Sequence, residues 1–118
     1  LQGDYQLALN TADETLRLAP NHLESRMNRS LFLMNLGRAD DAMQNFRRFL
    51  NEPDAYNNLG YLYLEGGDLS RARQCFEKAI LISPSYHDLA HHNLKKVSRL
   101  EQIQAKTFDS MIVAEGRL

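Results

Sequence analysis

The sequence predicts an all-α fold of stacked antiparallel helix pairs closed by a C-terminal capping helix, on three observations. Glycines recur at Gly3, Gly37 and Gly67, each followed five residues on by an alanine: Ala8, Ala42, Ala72. Nine residues past them stand Ala12, Phe46 and Phe76, and thirteen past them Leu16, Leu50 and Ile80, positions that share one helical stripe. Pro20 and Pro84 lie seventeen residues after the first and third glycines, where proline stops a helix. Self-similarity of this kind marks a solenoid, in which each unit buries its apolar face against the next.

The elements follow in order. Residues 1–22 hold one helix, from Gly3 to Pro20, without a leading partner. Its expected consequence is an exposed face of Leu9, Ala12 and Leu16 or their neighbours, an edge that invites self-association. In residues 23–52, Leu23, Met27, Ser30, Leu31 and Met34 have helical spacing, Gly37 permits the reversal, and a second helix carries Ala42 and Phe46. In residues 53–86 the same plan returns, with Tyr56, Leu59, Gly60, Tyr63 and Leu64 before Gly67, then Ala72 and Phe76. The glycine spacing shortens from 34 to 30 residues, absorbed at Leu50-Asn51-Glu52-Pro53-Asp54, where Pro53 suits the first turn of a helix. From Pro84 to Glu115 there is no further glycine or proline, and Leu89, Ala90, Leu94, Val97 and Leu100 mark one buried face. Residues 87–115 therefore read as the cap, with Lys95, Lys96, Arg99 and Glu101 on its polar side. Ile103, Ala105, Phe108, Met111 and Ile112 are compatible with a continued helix, a second short one or a contact with another chain; the continued helix is the favoured reading.

Composition narrows the function. The 118 residues are 43% hydrophobic and 25% charged, enough apolar content for one compact domain. Fourteen Lys and Arg against fifteen Asp and Glu leave a net charge of -1, with no basic field to gather phosphate backbones, so nucleic acid is not an expected partner. No apolar run approaches the ~20 residues of a membrane span. The single cysteine, Cys75, excludes an intrachain disulfide and a multi-thiolate zinc site.

These residues resemble the tetratricopeptide repeat family. Ala55-Tyr56-Asn57-Asn58-Leu59-Gly60-Tyr61-Leu62-Tyr63, followed by Gly67-Asp68, Ala72, Phe76, Ala79 and Pro84, fits nearly every signature position. Asn28-Arg29-Ser30, Leu36-Gly37, Ala42 and Phe46 form a second match that lacks the terminal proline, and residues 3–20 a half match. The resemblance implies a right-handed solenoid and a non-catalytic scaffold that binds a protein or peptide. More narrowly, Asn57-Asn58-Leu59-Gly60-Tyr61, Gly67-Asp68-Leu69, Ala72-Arg73 and Asn93-Leu94 resemble TadD-type proteins of Tad (Flp) pilus assembly, which would imply a bacterial envelope setting.

The most enzyme-like cluster is His87-Asp88-Leu89-Ala90-His91-His92. On a helix His87 and His91 share a face, as do Asp88 and His92, but two ligands fall short of the three or four that zinc takes, so no metal site is expected. Gly66-Gly67 lacks the Lys-Ser/Thr of a phosphate loop. Cys75 sits beside core Phe76 without an activating base, and the Phe46-Arg47-Arg48-Phe49 run is balanced by Asp40, Asp41 and Glu52. No catalytic residue and no cofactor follow.

The binding reading is stronger. In the family the leading helices line the concave side, which points to Met27, Asn28, Leu31, Met34 and Asn35, with Glu24 beside them, and to Asn57, Asn58, Tyr61, Leu64 and Glu65. Leu31, Met34, Tyr61 and Leu64 would form an apolar floor flanked by amides able to bond a peptide backbone. His91 and His92, with Lys95, would add positive character at its far end. Met27 and Leu31 replace the basic residues that clamp a terminal carboxylate elsewhere in the family, so that specialisation is not expected. The rival readings are a purely structural, oligomerising segment and a histidine-based metal module.

Overall fold

The computed structural model describes residues 2–116. Leu1, residues 117–118 and the side chains of Gln2 and Leu23 lie outside that description. The described residues form six α-helices and no strand: α1 Gln2–Leu18, α2 Leu23–Asn35, α3 Ala39–Arg47, α4 Glu52–Glu65, α5 Leu69–Ile82 and α6 Asp88–Ala114.

Local chemistry accounts for where the helices stop and start. Gly37 and Gly67 adopt φ of 75° and 82°, a left-handed backbone that glycine enters without a Cβ clash. After α4 the Asp68 amide donates to the Tyr63 carbonyl at 2.9 Å and the Gly67 amide to Leu64 at 3.0 Å. After α2 the Arg38 amide donates to Leu33 at 2.8 Å and the Gly37 amide to Met34 at 3.0 Å. Both turns thus satisfy the orphan carbonyls of a helix end in the same way and reverse the chain in three residues. Asn51 caps α4 by accepting the Asp54 amide at 2.9 Å, and Asp68 caps α5 by accepting that of Arg71 at 3.0 Å. Pro20 and Pro84 follow the ends of α1 and α5, as expected of residues that disfavour helix just before them.

Each helix packs on the next in chain order, and α4 also touches α6. The radius of gyration is 17.1 Å, against roughly 13–14 Å for a compact chain of this length. Extents of 59 × 41 × 18 Å describe the same elongated, slab-like stack, an all-α helical solenoid. One core joins Leu9, Leu33, Met43, Phe46, Leu59 and Leu62 across α1 to α4, with Cys75 reaching in from α5. A second joins Leu64, Leu69, Ala72, Phe76 and Val97 across α4 to α6.

At the α1 edge the exposed residues are the neighbours of those named. Leu9 and Ala12 are buried, 3% and 7% exposed, because that face packs on α2. The open face carries Leu7, exposed at 67%, with Ala8, Thr11 and Thr15 along an apolar groove of about 440 Å³ between α1 and α2. Leu16 is half-buried. The C-terminal segment is one uninterrupted helix to Ala114, with Phe108 and Met111 exposed in its last turns.

Candidate functional site

The surface around the contact of α4 with α2, where Asn58 meets Met27, is built from residues that the packing stripe leaves over. α4 is held close to α5 through Gly60, where a Cβ would stand 2.7 Å from Cε1 of Phe76. This fixes the rotation of α4, with Leu59 and Leu62 turned into the first core and Leu64 into the second. Tyr61, 42% exposed, and Glu65 are left facing solvent. The Glu65 carboxylate faces the Tyr61 phenol and, by Coulomb repulsion first, raises its pKa above that of an ordinary phenol; a phenol in any case keeps its proton, and so its hydrogen-bond donor, through the neutral range.

Asn58, half-buried, points its amide at Sδ of Met27 at 3.9 Å and so ties α4 to α2 on this face. Met27, Leu31 and Met34 lie half-buried against the first core. The Asn35 amide donates to the Leu31 carbonyl at 2.9 Å, an internal bond that holds its side chain along α2. Half-buried methionines give a surface able to repack against a partner side chain. Behind them Ser30 is fully buried, with the Asn45 amide donating to its hydroxyl at 2.6 Å and to the Arg26 carbonyl at 3.1 Å, which locks α2 on α3.

Four expected groove residues lie elsewhere. Leu64, 7% exposed, is sealed in the second core by α5 and α6 and offers no floor. Asn57, also buried, accepts the Asn93 amide at 3.1 Å, because α6 docks over that flank of α4. Asn28 lines the α1–α2 groove. His91 stacks on Tyr86, 4.1 Å between centroids and 7° from parallel, and lines a separate groove between α5 and α6. His92 remains exposed on α6.

His87 works as a structural clasp. Its Nδ1 accepts the Ala90 amide at 3.1 Å and caps α6, while Nε2 lies 2.8 Å from Oδ1 of Asp54 on α4. Both ring nitrogens are therefore engaged, and the His87–His91 chelate suggested by spacing has no lone pair to offer from His87. Among the described residues no three His, Cys, Asp or Glu side chains come together as a metal-ligand set. Cys75 is buried, and desolvation pushes its thiol up to about 11, the opposite of an activated nucleophile. No helix of the described residues is long and apolar enough to cross a membrane.

The clasps of His87 on Asp54 and Asn93 on Asn57 were missed by the sequence reading. Spacing placed His87, Asn57 and Asn93 on helices and Asp54 in the shortened linker but carried no signal for contacts spanning 33 and 36 residues.

Two tetratricopeptide repeat models match the sequence, one over residues 2–54 and the other over residues 53–86. Residues 2–86 are tetratricopeptide repeats. No curated protein matches the sequence significantly. Tetratricopeptide repeats generally mediate protein–protein interaction, and their presence suggests protein partners. Neither matching model carries the narrower resemblance to TadD-type proteins.

Proposed function

We propose that this tetratricopeptide chain is a non-catalytic scaffold that binds a segment of a partner protein across the α2–α4 face. Its repeat units would be residues 1–22, 23–52 and 53–86, with 87–115 as the capping element. What supports the reading is the contact of Asn58 with Met27 beside half-buried Leu31, with solvent-facing Tyr61 and Glu65 one and two turns further along the Asn58 side of α4. It offers adaptable apolar contact, an aromatic ring and polar flanks on one rigid surface. Tyr61 is the anchor, since large amphipathic rings dominate interface energetics.

The test is affinity capture from source lysate with the wild-type chain and with Tyr61→Glu, both checked by circular dichroism and read by mass spectrometry. A partner lost in Tyr61→Glu but kept in Lys95→Glu/Arg99→Glu supports the α2–α4 face. A partner kept by Tyr61→Glu moves the binding site away from it. A role in building an envelope pilus or secretion machine is the narrower form of this proposal. It rests on the Asn57–Tyr61 and Asn93-Leu94 resemblance alone, and a captured envelope component is the result that would support it. Self-association through the α1 edge is a second reading, favoured by exposed Leu7 above the apolar α1–α2 groove.

A further inference from the structure

Four arginines line one pocket of about 330 Å³ where α1, α2 and α3 meet. Arg17 comes from α1, Arg26 and Arg29 from α2, and Arg48 from the residue after α3. Against them the lining holds a single acidic residue, Asp13. Two of the four are already balanced. Arg29 Nε donates to Oδ1 of Asp13 at 2.6 Å, and Arg17 makes a two-pronged pair with Glu14, with Nη2 2.7 Å from Oε1. Arg26 and Arg48 face no carboxylate. Arg26 Nε donates to the neutral Pro20 carbonyl at 2.7 Å, and its guanidinium lies over the Phe49 ring, 4.7 Å from the centroid. The Arg48 side chain is exposed and, among the described residues, forms no hydrogen bond or ion pair. The pocket thus holds two positive charges beyond those its carboxylates offset.

Stacking does not call for these arginines. Tyr56 and Leu59 stand 30 residues after Arg26 and Arg29, at the matching places before Gly67. The repeat therefore packs with an aromatic and an apolar side chain where the pocket has two guanidinium groups. Arg26 is also held in place before any ligand arrives. The Pro20 carbonyl and the Phe49 ring fix its fork, and the Asn45 amide, donating to the Arg26 carbonyl at 3.1 Å, anchors the backbone beneath it. Arg26 and Arg29 spend Nε on these bonds, which leaves their terminal nitrogens as donors. A group fixed in advance loses little freedom on binding.

We infer that this pocket binds a phosphoryl group carried on a serine or threonine of a partner protein. A phosphomonoester brings about -1.5 to -2 charge and three acceptor oxygens at neutral pH, which matches the two unbalanced arginines. Guanidinium forks pair with such oxygens through parallel bonds. A carboxylate brings one charge and would offset half of the excess. A nucleic-acid strand needs positive charge along a track, whereas this is one pocket with Asp13 and Glu14 at its side. None of its lining comes from α4, so the site is separate from the α2–α4 face and Tyr61→Glu leaves it unchanged.

The experiment follows backbone and arginine side-chain N–H signals by heteronuclear NMR of the whole chain at constant ionic strength. The probes are inorganic phosphate, a degenerate peptide library with a fixed central phosphoserine, and the same library after phosphatase treatment and removal of free phosphate. Saturating shifts at Arg26, Arg29 and Arg48 are expected with the first two and not with the third. Arg26→Gln/Arg48→Gln is expected to weaken both responses at least about tenfold. Arg48→Gln alone, at an exposed position, weakens them in the same direction and keeps the test open if circular dichroism shows that the double variant loses helix. Lys78→Gln/Lys106→Gln removes the same charge from exposed sites elsewhere and is expected to bind as wild type does. No saturable shift at these arginines in about 20 mM phosphate, above the millimolar range of a weak site, overturns the site. An equal response to the phosphatase-treated library overturns phosphoryl recognition. A response to phosphate without one to the phosphorylated library overturns the partner-protein source and leaves the free anion as ligand. A loss in Lys78→Gln/Lys106→Gln as large as in the arginine variant reduces the effect to overall charge and overturns the pocket.

Discussion

Gly60→Ala probes the close approach of α4 and α5 on which the exposed face depends. The added methyl would stand 2.7 Å from Cε1 and 2.9 Å from Cδ1 of Phe76, and 3.0 Å from Cβ of Cys75. Carbon atoms settle at about 3.5–4.0 Å, so a ring that is itself fully buried would have to retreat into filled space. In an open helix, glycine to alanine gains about 1 kcal/mol, whereas forcing one carbon into a dense core costs about 1–3 kcal/mol. Three short contacts place this site at the upper end, for a net loss of about 2 kcal/mol. For a chain of 118 residues that is a fall in Tm of about 8 °C. Thermal and urea unfolding followed at 222 nm measure it, beside two internal standards. Gly66→Ala meets its neighbours at 3.5 and 3.6 Å with an ordinary helical φ, and is expected to be neutral or slightly stabilising. Gly67→Ala meets nothing within 4 Å but is held at φ 82°, and is expected to lose about 1–2 kcal/mol from backbone strain alone. In a Phe76→Leu background the Gly60→Ala loss should shrink, because its main collision partner is gone. A Gly60→Ala protein as stable as Gly66→Ala would refute the packing argument.

Two further predictions concern the buried groups. Removing Asn93 strands the buried Asn57 side chain, so Asn93→Ala is expected to cost about 1–3 kcal/mol in urea unfolding, while Asn57→Leu/Asn93→Leu recovers most of it. The Cys75 thiol, pushed up to about 11, keeps its proton in the folded chain after the unfolded chain has begun to release its own near pH ~9. Its contribution is intact below that pH and is lost as the pH rises towards 11, by up to about 3 kcal/mol. Denaturant titrations of wild type and Cys75→Ala from pH 7 to pH 11 are expected to diverge only in this window, and parallel curves would contradict it.

Much of the helical framework was legible in the sequence because it depends on chemistry within a few residues. Gly37 and Gly67 take the positive φ that the turns require, Pro20 and Pro84 follow helix ends, and Ala42, Phe46, Ala72 and Phe76 lie in the cores their periodicity indicated. Periodicity gives each residue an angle about its own helix and says nothing of where the neighbouring helix stands. Only the docking of α5 and α6 on α4 decided that Asn57 and Leu64 are covered while Tyr61 and Glu65 face solvent. Only the packing of α1 on α2 turned Leu9 and Ala12 inward and left Leu7 and Thr11 at the open edge. His87 shows the same division. Its place at the start of α6 was readable from Pro84 and the apolar spacing that follows, but its bond to Asp54, which spends the nitrogen a metal would need, exists only because α4 and α6 meet. Local sequence fixes helices and turns through short-range sterics and hydrogen bonds, whereas which face stays open is set by contacts between residues on different helices.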